Sequence, residues 1–238
     1  MKYFLILSVL FGVSCAHNPQ EKFLMGNLYY QKAPEVKALY RQAYNSATDY
    51  LLKNVVRKKS KQCIVLDIDE TVLDNSPYQG WLYKNQENYR SKTWEKWVML
   101  EKAKALPGSL EFIKLAMKKG VRVLYVTNRK QHLVEATLNN LSHLGLKVNP
   151  QDIIGRTTTS SKVERRKELS KGCEVAMLIG DSLADFDPVF EGSYDLRHQG
   201  VESFSKEWGR KFIILPNPMY GDWLKGAGSQ KLQSFDEL

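Results

Sequence analysis

Asp67 and Asp69 close the run Ile64-Val65-Leu66-Asp67-Ile68-Asp69-Glu70-Thr71, in which apolar residues give way to acids. Side chains two apart on an extended segment point the same way, so both carboxylates can face one site at a strand end. Carboxylates that close have coupled titrations. One ionised and one protonated partner is what a nucleophilic attack with protonation of the leaving group needs. Burying two acids at the end of an apolar strand also demands a compensating cation.

Three more groups stand at similar junctions. Thr127 directly follows Val123-Leu124-Tyr125-Val126, where a hydroxyl and the following backbone amides can bind a phosphoryl oxygen. Lys162 opens a helical pattern in Thr159-Ser160-Ser161-Lys162-Val163-Glu164-Arg165-Arg166 and can neutralise phosphate charge. Asp181 and Asp185 follow the apolar run ending at Ile179-Gly180, and two acids so placed suit a hard, oxygen-preferring cation such as Mg²⁺. Taken singly, each has a plainer reading: a surface acid pair, a threonine starting a turn, a solvated lysine.

The elements that must position these residues are legible as continuous apolar runs, the pattern of strands buried on both faces. They are 63–68, 121–126, 174–179 and 211–215, with a short further strand at 152–154. Helical patterns separate them at about 108–119, 131–144 and 162–170. Alternation of this kind predicts an α/β, doubly wound parallel sheet with the chemistry beyond the carboxyl ends of its strands. A 3.6-residue apolar stripe (Val36, Leu39, Tyr40, Ala43, Tyr44, Ala47, Tyr50, Leu51) predicts a helix from Pro34 to about Val56. Residues 15–33 carry no strong pattern and read as a tether. Residues 75–106, rich in aromatics and amides, exceed an ordinary connection. They read as an insertion covering the strand ends, a helical cap, in which Trp94, Trp97 and Val98 at helical spacing also suit its own core.

The whole chain bounds the function classes. Its 238 residues are 43% hydrophobic and 26% charged, enough apolar content for a full core. The net charge of +9 is scattered, apart from 57–61, and suits an anionic small substrate, a phospholipid surface or nucleic acid without deciding among them. No basic helix or aromatic-basic motif supports nucleic-acid binding, so no nucleic-acid partner is expected. The four histidines lack metal-ligand spacing, and His198 reads as a loop residue. At the N-terminus Lys2 and the apolar run 4–11 form a targeting segment too short for a mature span. A disulfide between Cys63 and Cys173 is open in an oxidising compartment, but the two are read as separate thiols: if Asp67 and Asp181 share a metal their strand ends are level, and the cysteines are offset by roughly 13 Å at 3.3 Å per residue, beyond disulfide reach.

In this order and at these junctions, the motifs resemble the haloacid dehalogenase (HAD) superfamily of phosphotransferases. The segments 64–78 and 177–186 resemble the two signatures of its class C acid phosphatases, which include the 5′-nucleotidase lipoprotein e family; Ser182 stands where Asn or Thr is usual. The resemblance extends from the N-terminus to Trp223. It implies a HAD-like fold with a helical cap, drawn from about 34–58 and 75–106 of a domain at 34–238. It implies Asp67 as nucleophile and Asp69 as general acid and base. Mg²⁺ would be held by Asp67, Asp69 through its backbone carbonyl, and Asp181, with Asp185 ordering the metal's shell. Thr127, Asn128 and Lys162 would bind the phosphoryl group, and Tyr89, Trp94 and Tyr220 the ring of a nucleotide-like substrate.

Gly12-Val13-Ser14-Cys15 resembles a bacterial lipobox, with Gly12 where a Leu-like residue is usual. The expectation is a signal peptide at 1–14, lipidation at Cys15 and a lipid anchor in the cell envelope. Ala16 after the cysteine favours the outer membrane. Ordinary secretion or a retained anchor stays open, as does a homo-oligomer. A non-catalytic surface lipoprotein that binds a nucleotide-like ligand is the alternative function. A histidine phosphatase is disfavoured, because the Gly its motif needs directly after His198 is absent.

Overall fold

The computed structural model describes residues 18–58 and 60–227. The proposed signal segment and Cys15 lie outside the described residues. Strands β1 (Gln62–Leu66), β4 (Arg122–Lys130), β5 (Ile153–Arg156), β6 (Glu174–Gly180) and β7 (Phe212–Ile214) form one sheet in the order β5-β4-β1-β6-β7. Every pairing in it is parallel. β1, the central strand, is buried along its whole length, as its uninterrupted apolar run demands. Two residues, β2 (Leu73–Asp74), pair antiparallel with β3 (Lys104–Ala105) and close the base of an excursion.

Side chains alternate between two apolar layers. Ile64, Leu66, Val123, Tyr125, Met177 and Ile179 enter one layer with helices α2 (Pro34–Tyr50) and α5 (Ser109–Lys118). Cys63, Val65, Leu124, Val126 and Leu178 enter the other, with Leu169 of α7 (Val163–Leu169) and Val201 of α8 (Tyr194–Ser203). Between β2 and β3 lie α3 (Ser76–Lys84) and α4 (Ser91–Met99). Val98, Trp94 and Trp97 of α4 pack on Leu133 and on Ala136 of α6 (Val134–His143). The excursion at 75–106 is therefore helical, and its aromatics both build its core and face the site below.

Four expectations need correction. The stretch read as a tether contains a 3-10 turn at Glu21–Phe23 and helix α1 (Leu24–Lys32). Its buried face is Asn27 and Tyr30, too polar to register as an apolar stripe. The helix expected in the cap at 34–58 instead covers a face of the sheet: Tyr40, Tyr44, Ala47 and Leu51 are buried in the main core with Ile64 and Ile179. His198 lies within α8, its ring centroid 4.3 Å from that of Tyr194.

The fourth correction concerns the cysteines, which form a disulfide with their Cα atoms 5.8 Å apart. The offset assumed from sequence fails on register. Leu66 pairs with Ile179, so Asp67 stands level with Gly180 rather than Asp181. A bulge between Cys63 and Ile64 then takes up a residue of β6 and sets Cys63 opposite Val175. Gly172 (φ 82°) and the turn in which the Cys173 N–H bonds the Ser170 carbonyl (3.1 Å) bring Cys173 across.

Candidate functional site

The carboxyl ends of β1, β4 and β6 meet under the cap, and the sequence-predicted acids collect there. The Asp67 N–H continues the ladder to the Ile179 carbonyl (3.0 Å), which fixes Asp67 at the sheet edge. The chain then turns tightly: the N–H groups of Thr71, Val72 and Leu73 converge on the Ile68 carbonyl, and Glu70 takes a left-handed backbone (φ 51°). A non-glycine residue in that region stores strain, which persists only where surrounding contacts over-determine it. Here they do. The Glu70 carboxylate is buried and accepts from the backbone N–H of Asn75 (2.7 Å), and the Tyr40 hydroxyl donates to the Glu70 carbonyl (2.6 Å).

Two cations separate the two acids. Lys162 Nζ lies 2.8 Å from Asp67 and 2.5 Å from Asp185. Arg129, 1% exposed, donates from Nε to Oδ1 of Asp69 (2.9 Å), with Nη2 in ion-pair contact with the same oxygen at 2.8 Å. Its other contacts are Thr137 Oγ1 (3.1 Å) and Asn75 Oδ1 (3.3 Å), while its guanidinium stands 5.8 Å from the Trp94 ring. Asn75 Nδ2 also donates to Asp69 Oδ1 (2.8 Å), and Trp97 Nε1 donates to Asn75 Oδ1 (2.8 Å). The need for a compensating cation follows from sequence. Arg129 as the second one does not, because its partners come from α4, α6 and the β2–α3 junction.

Asp67, Asp181 and Asp185 each offer a carboxylate oxygen, all within 4.8 Å of one another. The Asp69 carboxylate lies outside this triangle, against Arg129. Asp185 is fixed from below: its Oδ2 accepts the Ser182 N–H (3.1 Å) in a capping box, and it packs where a Cβ on Gly180 would stand, so position 180 must be glycine. Asp181 accepts from Asn217 Nδ2 (2.8 Å). Burial, then the like charges of Asp67 and Asp185, drives the Asp181 carboxyl far above the carboxylate range. Burial also raises Asp67, against the opposing pull of Lys162. For Lys162 burial works downward, but Asp185 and Asp67 outweigh it and hold the ammonium firmly charged. Three carboxylates against one lysine leave a surplus of negative charge among hard oxygen donors. That donor set fits a divalent cation.

A cavity of about 870 Å³ opens over these groups. Its walls include Asp67, Asp69, Asn128, Lys162, Asp181 and Asp185, together with Tyr89, Trp94 and Tyr220. Tyr89 and Trp94 are neighbours, with ring centroids 6.4 Å apart. Thr127 is fully buried behind the wall: its hydroxyl accepts the Arg129 N–H (3.1 Å) and stands 3.4 Å from Asp69 Oδ2. Asn128 Oδ1 accepts from Arg165 Nη2 (2.6 Å), which leaves its amide donors for other partners. Every predicted site residue among the described residues thus lines the cavity or, like Thr127, stands directly behind it. Phe23 and Gln20, from the segment read as a tether, line it as well.

A model of the HAD superfamily, subfamily IIIB (acid phosphatase), matches residues 14–223. The class C acid phosphatase of Bacillus anthracis superposes with a TM-score of 0.82 at 38% identity, covering 87% of this chain and 88% of that one. A tungstate-bound structure of the same protein gives the same values. Among curated proteins, acid phosphatase 1 of Solanum lycopersicum is 27% identical over 197 residues, 80% of this chain and 71% of its own length. The stem 28 kDa glycoprotein of Glycine max is 29% identical over 199 residues, 80% and 69% of the respective lengths.

Proposed function

The chain belongs to the HAD superfamily, subfamily IIIB, the acid phosphatases, and from that premise we propose that it hydrolyses 5′-nucleotides and related aromatic phosphomonoesters through an aspartyl-phosphate. The observation that carries the reading is the pairing of Asp67 with Lys162 at the floor of the cavity while Asp69 is held separately by Arg129. In the first half-reaction an Asp67 oxygen attacks phosphorus, the bond to the leaving oxygen breaks, and Asp69 passes its proton to that oxygen. In the second, Asp69 takes a proton from water, the water oxygen attacks phosphorus, and the Asp67 carboxylate is released with inorganic phosphate. Lys162 and the amide of Asn128 neutralise and orient the phosphoryl oxygens, which matters because catalysis of phosphoryl transfer is mostly positioning and charge stabilisation. Mg²⁺, held by Asp67, Asp181 and Asp185, would supply Lewis-acid charge to the phosphoryl group. The aromatic wall of Tyr89, Trp94 and Tyr220 suits a stacked ring.

The test is release of phosphate from 5′-nucleotides and from p-nitrophenyl phosphate, before and after chelation. Turnover should vanish with chelator and return with Mg²⁺, and Asp67→Asn should lower kcat by about 10³-fold or more. An Asp67→Asn variant that keeps its rate would remove the nucleophile assignment and leave the non-catalytic binding reading. The same proposal places the protein at the bacterial envelope, anchored through Cys15. Labelled palmitate should enter the wild type and not Cys15→Ser; equal labelling of both would overturn the anchor.

A further inference from the structure

The cavity walls differ in chemistry. One side carries the aromatic rings, and the rim near Tyr220 carries Glu191 and Asp222. The side built from the carboxyl end of β5 and the loop into α7 offers Arg156, Thr159, Ser160, Ser161 and, from β4, Asn128. That wall presents a guanidinium, three hydroxyls and an amide, and no carboxylate.

Arg156 is the residue the proposed mechanism does not use. It ends β5, opposite Lys130 of β4, so the parallel sheet delivers it to the same edge as Asp67 and Asp181. Its guanidinium has no carboxylate partner among the described residues. The other cations near the site are spoken for: Lys162 by Asp67 and Asp185, Arg129 by Asp69, and Lys130 by Glu95 at 2.8 Å. Arg165 is committed as well, to the Thr127 carbonyl (2.5 Å), the Asn128 amide oxygen and the carbonyl of Ser161 (3.0 Å). By engaging Asn128 Oδ1 it turns the Asn128 amide hydrogens away from itself. Arg156 and Arg165 also repel each other, and that repulsion, after burial, helps hold the Arg165 guanidinium below its ordinary value. An unpaired guanidinium beside a second cation, on a wall of donors, is matched by an anion; Arg in particular binds phosphate and carboxylate through two parallel N–H donors.

We infer that Arg156, with the hydroxyls of the 159–161 loop, forms a second anion subsite, and that the enzyme favours phosphomonoesters carrying another phosphate or carboxylate besides the scissile group. This rests on the phosphatase reading and names its substrate class. The cavity volume of about 870 Å³ leaves room for such a group beside the ring.

The experiment compares steady-state kinetics of wild type, Arg156→Gln and Arg156→Lys on three substrates: p-nitrophenyl phosphate, adenosine 5′-monophosphate and adenosine 3′,5′-bisphosphate. The wild type should show its lowest KM for the bisphosphate. Arg156→Gln should raise that KM about tenfold or more, with the other two substrates changed less than about twofold. Arg156→Lys should retain part of the preference. An equal loss on all three substrates would mean that Arg156 only steers anions or supports the fold, and no loss would mean no subsite; either overturns the inference. Calorimetric titration of Asp67→Asn with the bisphosphate and the monophosphate, with and without Arg156→Gln, reads the subsite without turnover. Equal affinities there, with the wild type turning over p-nitrophenyl phosphate, would end the subsite and leave the phosphatase reading intact.

Discussion

Arg129 donates from Nε to one oxygen of Asp69 and keeps Nη2 beside it as an ion pair, and Asn75 adds a second donor to that same oxygen. Asp69 Oδ2 accepts only one long bond, from the Thr127 hydroxyl at 3.4 Å. Oδ2 is thus the less strongly held oxygen, and the proposed chemistry assigns it the proton for the leaving group. Arg129 acts through Asp69, so its removal should hurt most where protonation matters most. For Arg129→Met, kcat on an alkyl phosphate, whose leaving alkoxide is strongly basic, should fall about 10²-fold. On p-nitrophenyl phosphate, whose leaving group needs little help, the fall should be less than about fivefold. Arg129→Lys, which keeps a charge near Asp69, should fall between the two. Equal losses on both substrates would make Arg129 a purely structural cation and overturn its role through Asp69.

At the scale of elements, the disulfide ties the start of β1 to the turn before β6, across 110 residues of sequence. Closing a loop that long removes entropy from the unfolded chain. Reduction, or Cys173→Ser, should cost about 2–5 kcal/mol of unfolding free energy, measured by denaturant titration with and without reductant. Turnover under native conditions should be kept, since the link sits at the opposite end of the strands from Asp67. A midpoint unmoved by reductant would show that the bond does not form or does not constrain the chain. This link also marks where sequence reading stops. The five strands and the acids at their ends were legible because each is a local pattern: apolar run, then Asp67, Thr127 or Asp181. The cysteine pairing depends on a one-residue bulge in the β1–β6 ladder, and register belongs to two strands at once. Helix α2 shows the same limit. Its apolar stripe predicts a helix from Pro34, but whether that stripe meets the cap or the sheet is decided by packing partners remote in sequence. In α1 the buried face is an asparagine and a tyrosine, so no hydrophobic period announces it.

Across the whole molecule, buried tyrosines bind the N-terminal helices to the turn that follows Asp67. The Tyr30 and Tyr40 hydroxyls lie 2.7 Å apart, Tyr40 donates to the Glu70 carbonyl, and Tyr44 donates to the Thr71 carbonyl (2.8 Å). Burial raises all three phenols well above their ordinary value; for Tyr30 and Tyr40 the nearby Glu70 adds to it. In the unfolded chain the same phenols ionise near pH 10. The native state thus holds protons that the unfolded state releases, so the stabilising contribution is complete below about pH 10 and declines as pH rises above it. Each such tyrosine takes away about 1.4 kcal/mol per pH unit in that range. Stability should therefore be insensitive to these groups at neutral pH and should drop steeply in alkali. Followed at 295 nm, the tyrosinate absorbance of these three should appear only together with loss of the near-ultraviolet circular dichroism. Smooth ionisation of every tyrosine near pH 10, with the fold intact, would show that helices α1 and α2 do not seal the turn that carries Asp67 and Asp69.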